Sequence, residues 1–99
     1  MMTFKNVLSA FNDYLTEDTI FEVLMTSRGY TVMEWDEKAQ NWDSAKICPT
    51  PENLKNYLME AYSGYLMYKI TLGRRGVTDD ERQRINAQVE AMDRRIQQC

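Results

Sequence analysis

The chain has no histidine, and that removes the commonest general base and the commonest metal ligand. Cysteine is scarce. Cys48 and Cys99 are too few for a disulfide framework, and without histidine they cannot supply an ordinary zinc site. Cys48, just ahead of Pro49, is expected to be a small buried hydrophobe, and Cys99, the last residue, an incidental thiol. No apolar run approaches the roughly 20 residues that a membrane span needs. The opening MMTFKNVLSAFNDYL has one lysine among scattered polar residues, unlike a signal peptide, so a cytoplasmic setting is expected. A strong charge of one sign is also missing. Twelve Lys and Arg against fifteen Asp and Glu leave −3, too mild for broad attraction to nucleic acid or anionic lipid. Neither G-x-x-x-x-G-K-[ST] nor G-x-G-x-x-G occurs, nor does any internal repeat.

What is present fits one folded domain. Ninety-nine residues are too few to bury two cores, and 43% hydrophobic residues are too many for a disordered tail. Phe4, Val7, Leu8, Phe11, Tyr14 and Leu15 recur at helical spacing. They predict a first helix at about 3–16, with Thr3 as its N-cap. In IFEVLMTSRGYTVMEW, Phe21, Val23 and Met25 alternate with Glu22, Leu24 and Thr26, as in a strand with one buried face. Gly29 supplies the positive φ of a short hairpin loop. Strands are therefore expected at about 20–26, 30–35 and 42–47, the last two joined through the polar DEKAQN turn. In CPTPENL, Thr50 caps and Pro51 opens a second helix to about Lys69, with Gly73 as the candidate C-cap. Thr78 and Glu81 form a capping box for a third helix at about 79–97. The order α-β-β-β-α-α predicts an α+β domain, a three-stranded antiparallel meander covered by helices.

Four constellations are candidates for function. The first is GRRGVTDDERQR, at 73–84, which resembles an anion loop until its acids are placed. Asp79, Asp80 and Glu81 occupy the helix N-terminus where an anion would bind, so the stretch reads as capping and linker. The second is the arginine-rich end, where Arg74, Arg75, Arg82 and Arg84 are candidate nucleic-acid contacts. Six arginines against five acids leave only +1 over residues 71–99, which favours a helix laced with internal ion pairs. The third is the tyrosine run YLMEAYSGYLMYK. Leu54, Leu58, Ala61 and Tyr65 share one face of the helix, while Tyr57, Gly64 and Tyr68 share another. Core packing competes there with a partner contact, because tyrosine is enriched at interfaces. The fourth is the hairpin tip. Trp35, Asp36, Glu37, Trp42 and Asp43 combine aromatic anchors with carboxylates, the chemistry of a contact to a basic protein surface. Paired carboxylates also serve glycosidases, but a solvated hairpin in so short a chain gives them no cleft. With no nucleophile–base pair in view, the expectation is a chain without catalysis, cofactor or metal.

Taken together, VLMTSRGYTVMEWDEKAQNW, CPTPENL and ITLGRRGVTDDERQRINAQVEAM resemble short proteins encoded in prophages and conjugative elements of Firmicutes. That group carries no assigned activity, so the resemblance implies a setting, not a mechanism. Small acidic proteins of such elements often bind a host protein, defence nucleases included. The expected function is thus a non-catalytic protein-binding protein, a host-modulating or anti-defence inhibitor of the anti-CRISPR kind. A nucleic-acid-binding accessory protein is the alternative. The seam Ile85, Val89, Met92 and Ile96 can pack on the domain's own sheet or pair with a second copy, a homodimer through the last helix.

Overall fold

Three threonines start three of the four helices among the described residues. In the computed structural model, which describes residues 2–18 and 20–97, Thr3 and Thr50 accept the backbone N–H of Asn6 and Asn53, each at 3.1 Å. Thr78 completes the capping box, because its Oγ accepts from Glu81 N–H while Thr78 N–H donates to Glu81 Oε1. The elements run α1 (Phe4–Ala10), α2 (Asn12–Glu17), β1 (Phe21–Thr26), β2 (Gly29–Asp36), β3 (Asn41–Cys48), α3 (Pro51–Thr71) and α4 (Asp79–Gln97). The domain is α+β, in the order α-α-β-β-β-α-α, with a three-stranded antiparallel sheet ordered β1-β2-β3.

The expected single first helix is two short ones. The chain turns at Phe11, whose φ of −94° and ψ of 5° lie in the bridge region. Its ring is fully buried, edge-on to Tyr14 and Tyr62. The last helix agrees with expectation in its bounds. The close of α3 differs: Leu72, not Gly73, is the C-cap, held in the left-handed region at φ 54°. Gly73 follows at φ 71°, so the glycine relieves the second of two left-handed positions.

The core lies between the helices and one face of the sheet. Val7, Phe11, Tyr14, Leu54, Leu58, Met92 and Ile96 come from helices, and Val32 and Cys48 from strands. Phe4 meets Tyr30, and Tyr57 meets Phe21, so both hairpin strands are pinned from the same side. Lys55 Nζ reaches Asp93 at 3.0 Å and ties α3 to α4. Ile85, Met92 and Ile96 of the last-helix seam are buried within the chain itself, with Val89 half-buried. Met92 and Ile96 belong to the domain's own core, the first of the two packings that the sequence allows. Cys48 is fully buried and free, as expected of a small hydrophobe, while Cys99 lies outside the described residues.

Only two layers are present, and the shortest extent is 18 Å against 41 and 39 Å for the others. The radius of gyration of 14.2 Å exceeds the roughly 12.6 Å of a globule of this length. The chain exposes 6812 Å², whereas about 5,900 Å² is usual for its mass. About 900 Å² of additional surface is thus open. Among the described residues no helix is long and apolar enough to cross a membrane.

Candidate protein-binding surface

Strand pairing assigns every side chain to a face. Val23, Val32 and Lys46 lie in one row, as do Leu24, Thr31 and Ile47 in the next. Successive residues point to opposite faces. Val32 and Cys48 face the helices, so Leu24, Met33, Ala45 and Ile47 face away from them. Leu24 is 41% exposed and Ile47 52% exposed. This outer face carries these apolar residues beside Glu22 and Thr31, and none of the described helices covers it. The sequence reading had set Leu24 on the polar side of β1 and Met25 on the buried side. Met25 does share the inner face, but the helices do not reach it, and it is 75% exposed.

A bulge arranges the tryptophans. The β2–β3 register is regular from Tyr30↔Cys48 to Glu34↔Ser44, then shifts to Trp35↔Trp42. Asp43 is the extra residue. An unbroken register would have set Trp35 against Asp43. The shift sets it against Trp42, with ring centroids 5.1 Å apart and planes at 73°, an edge-to-face pair. Trp35 is on the outer face by alternation from Met33, and its partner shares that face. Trp42 stays 43% exposed.

The acids at this end have separate tasks. Glu37 Oε2 accepts the indole N–H of Trp35 at 2.7 Å, which fixes the ring. Asp36 Oδ1 accepts the N–H of Lys38 and Ala39 and so holds the turn, which Gln40 closes at φ 55°. Asp43 is exposed on the bulge. Between residues 34 and 43 stand Glu34, Asp36, Glu37 and Asp43 against Lys38, so four acids less one lysine leave −3 on this hairpin. The result is a largely apolar face, interrupted by Glu22 and Thr31, that ends in an aromatic pair on a negatively charged hairpin.

The other sequence candidates lie elsewhere. Tyr57 is half-buried in the helix–sheet interface, packed on Phe21, and burial pushes its phenol pKa up. Tyr68 is 59% exposed near the far end of α3. The structure does not bring either tyrosine to the tryptophan pair. Arg75 is held by Glu81 through two bonds of 2.8 and 2.9 Å, which removes it as a free contact. Arg74, Arg82 and Arg84 are exposed. Sequence reasoning missed Leu24, Met33 and Ile47. Their signal was available, because β1 and β2 carry apolar residues at both parities of the alternation. No known protein family, curated protein or solved structure matches the chain.

Proposed function

We propose that this is a small protein-binding protein without catalysis, whose outer sheet face receives another protein. The observation that carries the reading is that face itself: Leu24, Met33, Trp35, Trp42 and Ile47 left without a covering layer. The negatively charged hairpin supports a basic-edged partner, and it disfavours a second copy, which would bring like charges together. The resemblance to mobile-element proteins supports a host protein as the partner. On that reading the chain works in the cytoplasm as an anti-defence inhibitor of the anti-CRISPR kind.

The test is a photo-crosslinker placed at Ile47 and exposed to host lysate. One discrete adduct is expected, lost on Trp42→Ala and on Leu24→Asp in folded variants. An adduct that survives both changes, or none at all, would refute the surface. The exposed Arg74, Arg82 and Arg84 support the nucleic-acid alternative. That reading requires a gel shift which weakens steeply with salt and on Arg82→Ala/Arg84→Ala.

A further inference from the structure

A second feature lies away from the open sheet face. Where α2 ends and β1 begins, Asp18, Ile20, Phe21, Ala61, Gly64, Tyr65 and Tyr68 enclose a groove of about 420 Å³. Its volume falls within the range of small-ligand sites, roughly 300–1,000 Å³. The lining is almost wholly apolar and aromatic, and Asp18 is the one charged residue in it.

Gly64 gives the groove its depth. A Cβ built there meets nothing within 4 Å, so the space is open and is not filled by a neighbour. Glycine is a poor choice for the interior of a 21-residue helix. No close packing accounts for it.

Asp18 gives the groove its charge. One carboxylate oxygen accepts the hydroxyl of Tyr14 at 2.8 Å. Among the described residues no lysine or arginine pairs with it. The neighbouring acid is different: Glu17 is taken by Lys69 at 3.0 Å. That lysine also lies 5.5 Å from the centroid of the Tyr65 ring. The molecule thus already holds one of its own cations between a carboxylate and an aromatic face. The groove adds Asp18 beside the same aromatic wall, so Glu17 and Asp18 set two acids against the one lysine at Tyr65.

We propose that this groove binds a small organic amine, an ammonium group on an apolar or aromatic body. The ammonium would pair with Asp18, and the body would lie over Gly64 between Phe21, Tyr65 and Tyr68. An anion would meet the Asp18 charge, and a neutral analogue would leave it unpaired.

The probe is 2-phenylethylammonium, compared with 2-phenylethanol and phenylacetate, followed by amide chemical shifts on the full chain. A probe of this size should bind with a dissociation constant on the order of a millimolar. Shifts should centre on Ile20, Gly64, Tyr65 and Tyr68. The alcohol should bind at least about fivefold more weakly and the anion more weakly still. Asp18→Asn should abolish the preference for the cation. Gly64→Leu should fill the groove and abolish binding of all three, and Tyr68→Ser, at an exposed position, gives the same reading if Gly64→Leu fails to fold. The proposal is overturned if the alcohol binds as well as the ammonium, if the shifts centre elsewhere, or if no shift appears by about 10 mM, tenfold above that constant. Undiminished binding in the folded Gly64→Leu or Tyr68→Ser variant overturns it equally.

Discussion

Arg75 grips Glu81 with both arms of its guanidinium, at 2.8 and 2.9 Å, and Glu81 in turn accepts the backbone N–H of Thr78. The linker between α3 and α4 is thereby clamped to the first turn of α4. The Arg75 hydrogen bond first, then the Thr78 backbone bond, lowers the Glu81 pKa from 4.5 to about 2. A carboxyl whose folded pKa lies below its unfolded value contributes stability that is full above the unfolded pKa. That contribution is lost as pH falls from about 4.5 to about 2. Glu81→Gln should therefore lower the melting temperature at pH 7, and the gap to the parent should close across this window. Melting curves between pH 2 and pH 7 test it; a gap that persists at pH 2 would be the contrary result.

The tryptophan pair should be visible in solution. Either Trp35→Ala or Trp42→Ala should remove the coupled indole signal from the circular dichroism spectrum. Trp42→Ala should cost about 1 kcal/mol, since half-exposed rings lose mostly pair energy. Trp35→Ala should cost about 2 kcal/mol, because it also removes the N–H bond to Glu37 and the burial on the central strand. Equal costs in urea titration would contradict the assigned difference.

Two glycine positions should respond in opposite directions. Gly29 sits at φ 111°, and a Cβ there would lie 2.7 Å from the Cys48 carbonyl oxygen. Gly29→Ala should therefore destabilise by at least about 2 kcal/mol. Gly64→Ala should stabilise by up to about 1 kcal/mol through helix propensity. Thermal unfolding reads both, with 1 kcal/mol giving about 4–8 °C in a domain of this size.

Leu72 offers a third backbone test. It is a leucine 55% exposed and in the left-handed region, where the side chain gains little burial and the backbone is strained. Leu72→Gly should stabilise the chain by about 1 kcal/mol. A loss of stability would show that the leucine makes a contact worth more than its strain.

Cys48 should be inert while the domain is folded. It is fully buried, and desolvation raises its thiol pKa, so thiolate is scarce. In a Cys99→Ser background a thiol reagent should label nothing until denaturant is added. Rapid labelling in native buffer would refute the placement of Cys48 in the core.

The parts legible in the sequence were those set by neighbouring residues. Thr3, Thr50 and Thr78 cap because an oxygen three residues upstream of an N–H is a local geometry. Gly29 turns because its own φ demands it. The Trp35–Trp42 pair was not legible, since alternation alone cannot show that Asp43 is an extra residue. The break at Phe11 comes where its ring packs edge-on to Tyr14 and Tyr62, the latter about fifty residues away, a contact that periodicity within one helix cannot reveal. Which face of β1 is covered was legible from its alternation, but how far along the strand the helices reach was not. Parity divides Leu24 from Met25 correctly, but helix reach decides which of them meets solvent.

The 18 Å dimension gives the open face its wider meaning. A sheet with helices on one side only is the lower half of a sandwich, and whatever rests on Leu24 and Ile47 becomes its third layer. Recognition and folding would then draw on the same apolar area, so a partner should slow hydrogen exchange first at the amides of β2. Changes that improve the bare domain by making this face polar would, by the same physics, weaken its grip on the missing layer.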